Sequence, residues 1–146
     1  MIEALALSII LTAGPDLPDV VDRGPKYHAG ASLHKGVKFE PRHDWIRRCI
    51  RARESNNHYN AVSRTGRYRG AYQFSPALTV GVGWMIQRQL RQTHPRTVAI
   101  QIGRELRQTP MNQWGKYWQD RAFWTIWNNG KGRSHWAATV PGTECK

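Results

Sequence analysis

Apolar residues that recur every four positions near the C-terminal end place the strongest constraint on how this chain folds. The repeat consists of Trp114, Trp118, Ala122 and Ile126. Because residues four apart share one face of an α-helix, the repeat predicts a helix over about 113–127, ended by Asn129-Gly130. We expect most of Trp114, Trp118 and Trp127 to lie in the core. The chain of 146 residues is long enough for one domain, or for one domain with a tail.

Three earlier segments also carry helical patterns. The first covers 44–54, where Asp44 is placed to cap a helix. Arginines occupy one face of this helix, and the other face carries the apolar residues Trp45, Ile46, Cys49 and Ile50. Ser75-Pro76 predicts the start of a second helix, with serine as the cap and proline at the first position. His94-Pro95 predicts the start of a third, with an apolar stripe of Val98, Ile102 and Leu106.

The segment 59–74 has a different pattern. Thr65-Gly66 suits a turn between two short strands, and Tyr68, Gly70, Tyr72 and Phe74 alternate along the second. The expected fold is therefore mainly α with a small β-hairpin, an α+β class. Residues 43–146 form the expected domain. Scattered proline, glycine and charge without sustained periodicity predict a linker over 15–42.

Charge restricts the classes of partner. Lys and Arg number 22 against 10 Asp and Glu, which gives a net charge of +12. Such a surface favours polyanions, including nucleic acid and anionic cell-wall polymers. The sequence has no phosphate-binding glycine loop, no dinucleotide fingerprint and no zinc-ligand cluster, so we expect no cofactor and no metal. The longest apolar run, Ala4–Leu11 with Ser8 inside it, is too short to span a membrane.

Two features bear on export. Residues 1–14 have a signal-like apolar stretch that ends in small residues, but Glu3 precedes it and no Lys or Arg does, so a core-filling segment is the alternative. The only cysteines, Cys49 and Cys145, lie 96 residues apart. Their spacing alone allows either a disulfide or two unrelated thiols.

Glu54 is the carboxylate whose position best suits chemistry. It follows Ile50 by one helical turn, at the edge of the apolar face and the end of the predicted helix. Partial burial there would favour a protonated acid able to donate to a leaving oxygen. The alternative is a helix-end glutamate paired with a neighbouring arginine. Glu105 and Asp120 are each next to arginine and suit structural ion pairs.

Several motifs together resemble the transglycosylase-like domain of the resuscitation-promoting-factor type. The matching segments are Cys49–Ser55, Tyr59–Val62, Gly70–Phe74 and Gln119–Trp124, followed by Trp127, Trp136 and a cysteine near the C-terminus. The resemblance spans about 43–146. Two places depart from it. Asn56-Asn57-His58 lies where Gly-Gly-Asn is common, and Leu78–Gln113 is a longer, helical insertion.

This resemblance implies a small lysozyme-like fold that cleaves the MurNAc-GlcNAc β-1,4 bond of peptidoglycan, outside the cell or in its wall. It implies that Glu54 is the catalytic acid, that Gln73 lines the sugar cleft, and that Cys49 and Cys145 form a disulfide. The expected substrate-binding set, which supplies aromatic faces for sugar rings and polar groups for hydroxyls, is Ser55, Tyr59, Asn60, Tyr72, Gln73, Phe74 and Trp124.

The hairpin segment contains no second carboxylate, although glycosidases usually employ two. A mechanism with Glu54 alone is therefore expected, in which the sugar's own C6 hydroxyl attacks and a 1,6-anhydro product forms. Hydrolysis is the alternative. Two non-enzymatic alternatives also follow: a wall-binding or virion-associated protein without catalysis, and a basic nucleic-acid binder that uses the Arg64–Arg69 stretch.

Overall fold

Four α-helices form the body of the molecule: α1 (Asp44–Ser55), α2 (Pro76–Leu90), α3 (Arg96–Gln108) and α4 (Lys116–Trp127). Short 3-10 helices cover Pro41–His43, Met111–Gln113 and Arg133–Trp136. The computed structural model describes residues 17–146, so the expected signal or core-filling segment 1–14 lies outside the described residues. The mainly helical class is confirmed. No helix between residues 17 and 146 is both long enough and apolar enough to cross a membrane.

Local signals place some helix ends correctly. The Ser75 hydroxyl accepts a hydrogen bond from the Leu78 backbone N–H at 3.2 Å, and Pro76 opens α2, as the sequence predicts. α4 ends at Trp127 as predicted, because Asn128 takes the left-handed conformation with φ of 43°, but it begins at Lys116 and not near residue 113. Asp44 does not cap α1. It lies inside the first turn and accepts a hydrogen bond from Arg47 Nε at 2.7 Å.

The core is aromatic, and its position follows the tryptophan repeat. α2 packs against α3 and α4. Trp114, Trp118 and Trp127 have no exposed surface, which confirms that they are core residues. The Phe123 ring stacks on Trp127 at 5.6 Å between centroids and lies 4.7 Å from Trp136. The 3-10 helix after α4 is therefore attached to the same core.

The expected hairpin is not formed as two strands. Its turn is present, because the Gly66 N–H donates to Ser63 O at 2.8 Å. The chain then reverses again, and Arg69 and Phe74 exchange two backbone hydrogen bonds of 3.0 and 2.9 Å. Gly70 and Gln73, with φ of 84° and 52°, bend the backbone between them. A second reversal within six residues leaves only isolated bridges, so the predicted alternation from Tyr68 to Phe74 is wrong.

The arginines of α1 do not all face solvent. Arg47 and Arg51 are buried, whereas Trp45, expected on the apolar face, is 47% exposed. Both guanidinium groups donate to the Gly30 carbonyl, at 3.0 and 2.9 Å. Arg47 also lies 3.5 Å from the buried Asp120 carboxylate. The helix therefore buries a charged stripe, since a carboxylate and a carbonyl from other segments compensate it.

The segment described from residue 17 to residue 40 contains no helix or strand, and it runs along the helical body. Its buried residues are Val20, Ser32 and His34. The Leu33 N–H donates to Asp120 Oδ2 at 2.9 Å, and Gly115 donates to Val20 O at 2.6 Å. The stretch expected as a linker thus covers α1 and the start of α4.

Candidate active site

Glu54 lies in the last turn of α1, and its side chain is 27% exposed. The helix ends directly after it because Asn56 and Asn57 both take left-handed backbone angles, with φ of 51° and 64°. Asparagine tolerates this conformation better than other non-glycine residues. The two asparagines therefore form the tight turn after Glu54 where the resembled family commonly has glycines.

The Glu54 carboxylate is held by its neighbour. Its Oε1 accepts hydrogen bonds from Arg53 Nε at 3.0 Å and from an Arg53 terminal nitrogen at 2.7 Å. The same guanidinium donates to Trp136 O at 2.6 Å and to Thr143 O at 3.2 Å. Among residues 17–146, none donates a hydrogen bond to Glu54 Oε2. The arginine pairing that the sequence left as an alternative is thus present, and it occupies one carboxylate oxygen.

The C-terminal tail is fixed beside this site by the Cys49–Cys145 disulfide, which the resemblance implied. The two Cα atoms lie 5.8 Å apart, so residues 143–145 run next to α1. Arg53, Trp136 and Glu144 help to line an adjacent cavity of about 350 Å³. The tail and the 3-10 helix before it therefore each supply a carbonyl that orients Arg53, and through Arg53 they orient Glu54.

Gln73 is connected to Glu54 through Trp136. The Trp136 indole N–H donates to the Tyr72 carbonyl at 2.9 Å, while the Trp136 carbonyl accepts from Arg53. Gln73 follows Tyr72, is half-buried, and donates from Nε2 to Gly70 O at 3.0 Å. The structure thus connects Glu54 and Gln73, the two residues to which the resemblance gives the clearest roles. The sequence motifs did not indicate that Arg53 takes part in this connection.

Four aromatic residues expected to stack on sugars are core residues instead. Each is at most 1% exposed, and the four are Tyr59, Tyr72, Phe74 and Trp124. The Trp124 indole donates to Ser32 Oγ at 3.0 Å, and the Phe74 ring lies 5.9 Å from that of Trp136. A ring without an accessible face cannot stack on a ligand, so the prediction for these four is corrected. The reversal at 69–74 and the covering segment 17–40 help to bury them.

The two tyrosines belong to a buried polar cluster. Tyr59 and Tyr72 each donate a 2.5 Å hydrogen bond to Asp120 Oδ1, and they accept from Arg51 and Arg47, each at 2.8 Å. Burial, and then the Asp120 charge, raise the pKa of both phenols well above the ordinary value. The phenols therefore stay protonated and serve as structural donors.

The other predicted contacts remain near the surface. The Ser55 hydroxyl, half-buried, donates back to Arg51 O at 3.0 Å, and Asn60 is exposed.

Asp44 opens α1, ten residues before Glu54, which places their Cα atoms about 15 Å apart at the helical rise. Within residues 17–146 no group of three His, Cys, Asp or Glu side chains is arranged to hold a metal ion.

Comparison of this chain with protein-family models, with curated proteins and with solved structures finds no match. Any assignment of function therefore rests on the residues and contacts described above.

Proposed function

We propose that this chain is a lysozyme-like domain that cleaves the MurNAc-GlcNAc β-1,4 bond of peptidoglycan, with Glu54 as its single catalytic carboxyl. The observation that carries the proposal is the geometry of that carboxyl. Its Oε1 is fixed by Arg53, and its Oε2 receives no hydrogen bond from the part of the chain described. A partly exposed carboxyl held in this way presents one oxygen to a ligand in a defined direction.

The arrangement suits a single-carboxyl reaction. Protonated at Oε2, Glu54 donates its proton to the glycosidic oxygen while the bond from that oxygen to C1 breaks. The resulting carboxylate accepts the C6 hydroxyl proton as O6 bonds to C1, so a 1,6-anhydro sugar forms without added water. The Asp44 Cα lies about 15 Å from the Glu54 Cα along α1, and its carboxylate is paired with Arg47 and Arg48, so Asp44 is not placed as a second catalytic carboxyl.

Two features support an exported or wall-located protein. The disulfide is typical of oxidising compartments, and the net charge of +12 suits a wall that carries anionic polymers. A virion-associated position is the alternative location.

The test is digestion of purified peptidoglycan by wild type, Glu54→Gln and a matched control, Glu144→Gln, with mass spectrometry of the released fragments. Glu144 is exposed in the tail beside Arg53, so its substitution removes a nearby charge but not the proposed acid. We expect anhydro-muropeptides from wild type and Glu144→Gln but not from Glu54→Gln. Fragments with ordinary reducing ends would replace the anhydro reaction with hydrolysis.

A wall-binding protein without catalysis is the second candidate, and a specific observation favours it. Glu54 is paired with Arg53, and the expected sugar-stacking rings are buried. Wall binding by folded wild type with no fragments released would establish this second function in place of the first.

A further inference from the structure

A second candidate site lies beside the 69–74 turn. It is a groove of about 270 Å³ between that turn, α2 and the end of α3. Its walls include Arg69, Phe74, Val80, Arg107 and Met111, and no Asp or Glu lines it. The Phe74 ring also lies 5.9 Å from the Trp136 ring, measured between centroids. We refer to it as the Arg69–Arg107 groove.

Both arginines of the groove are held by neutral oxygens. Arg69 donates to Gly66 O at 3.1 Å and to Asn112 Oδ1 at 3.2 Å. Arg107 donates to Gln87 Oε1 at 2.6 Å. Neither forms an ion pair with a carboxylate of residues 17–146. Two oriented positive charges therefore border the groove without a negative partner from the described chain.

The position of Arg107 depends on two glycines and a tryptophan. Its guanidinium carbon lies 3.4 Å from the Trp84 ring centroid, a close cation–π contact. A Cβ at Gly83 would come within 2.7 Å of Arg107 Cγ, and a Cβ at Gly103 within 2.2 Å of Gln87 Oε1. The glycines thus leave the space in which Arg107 and Gln87 meet. Burial, and then the charge of Arg104, lower the pKa of Arg107, so an anion beside it would relieve unfavourable electrostatics.

We propose that the Arg69–Arg107 groove binds a sugar ring that bears a free carboxylate, such as the lactyl-ether sugar of a glycan strand whose stem peptide has been removed. The exposed apolar side chains of Pro76, Val80 and Pro110, which also line the groove, suit the C–H face of such a ring, and the guanidinium groups suit its carboxylate. The volume lies just below the range of about 300–1,000 Å³ typical of ligand pockets, so the groove fits one ring and not a nucleic-acid helix. This inference rests on the proposed function, and it adds a recognition site outside the reacting centre.

Binding can be measured independently of cleavage. Calorimetric titration of the full chain carrying Glu54→Gln would use three probes: a GlcNAc-MurNAc disaccharide with its free carboxylate, the methyl ester of that disaccharide, and a GlcNAc oligomer of equal length. We expect the free acid to bind roughly ten- to a hundredfold more tightly than the ester, the range for charge-assisted hydrogen bonds. The same factor should be lost in Arg107→Gln and in Arg69→Gln.

Two further variants keep the result interpretable. Arg96→Gln removes the same charge from an exposed position at the start of α3 and should leave the preference for the acid unchanged. Arg107→Lys retains the charge without the planar fork and should retain part of the preference, which separates lost recognition from lost folding.

Equal affinity for acid and ester, or an equal loss in Arg96→Gln, would overturn the groove assignment while leaving the Glu54 reaction intact. Tighter binding of single-stranded DNA than of the free acid, with loss in Arg107→Gln, would assign the groove to nucleic acid and overturn the sugar proposal. If wild type cleaves no glycan but the acid preference and its arginine dependence persist, the groove proposal is supported and the proposed catalysis is not.

Discussion

Replacing Asp120 by Asn should destabilise the fold more than any conservative surface substitution. Asp120 is fully buried and accepts hydrogen bonds from both phenols of the cluster and from the Leu33 N–H. Its carboxylate also lies 3.5 Å from the Arg47 guanidinium, whose side chain has no exposure. Asn keeps the shape but removes the charge and replaces one acceptor with a donor.

The magnitude follows from what remains after the change. Arg47 would keep Asp44 as a partner on Nε, but its NH1 side would face neutral groups in a buried site. Removing one member of a buried ion pair typically costs about 3–5 kcal/mol. With a urea m-value of roughly 1–3 kcal/mol/M, the unfolding midpoint should fall by about 2 M.

Urea unfolding followed by tryptophan fluorescence measures this loss, because the buried tryptophans pack in the same core. Glu105→Gln is the matched control, since Glu105 is exposed and the single hydrogen bond of its side chain within the described chain, from Gln101, is 3.4 Å long. We expect the control to stay within about 0.5 kcal/mol of wild type. A loss below about 1 kcal/mol for Asp120→Asn would refute the claim that this carboxylate compensates the buried arginine.

Three further outcomes are expected for the whole chain. Reduction of the Cys49–Cys145 disulfide, which closes a loop of 96 residues, should lower the free energy of unfolding by roughly 4–5 kcal/mol. Thermal melts with and without reductant measure this loss, and unchanged melting would contradict it. Folding raises the pKa of Tyr59 and Tyr72, so their contribution to folding stability is complete below about pH 10 and is lost as pH rises through the folded pKa values. Ultraviolet titration should show both phenols ionising together with unfolding. Burial lowers the pKa of His34, so its contribution to folding stability is present above about pH 6.5 and is lost as pH falls through the folded pKa. Between pH 7 and pH 4, the urea unfolding midpoint should therefore fall less in His34→Gln than in wild type.

The sequence predicts those parts of the fold that depend on neighbouring residues. The α2 start follows from Ser75-Pro76 because a cap and its N–H partner are three residues apart. The buried tryptophans before and in α4 follow from a repeat of four, which a helix converts directly into one face. The position of Glu54 at the end of α1 likewise follows from helical spacing, because Glu54 lies one turn after the apolar Ile50.

The remaining features depend on distant partners. The sequence predicts Arg47 and Arg51 only to lie opposite the apolar face of α1, because arginine counts as polar in any periodicity. Their burial requires Asp120 and Gly30 from other parts of the chain. Tyr72 lost its expected sugar-facing role because Gly70 and Gln73 reverse the backbone, and a non-glycine residue with positive φ leaves little trace in sequence. The structure therefore departs from the sequence predictions for two reasons: distant partners compensate the buried arginine charges, and the backbone reverses at 69–74.

The most direct test of the central claim is the rate at which wild type and Glu54→Gln release soluble fragments from purified peptidoglycan, with both proteins shown to be folded. Positioned proton transfer contributes about 10²- to 10⁴-fold to a rate, so we expect the variant to be slower by at least roughly a hundredfold. Release at equal rates would contradict the role assigned to Glu54, and with it the account of the site.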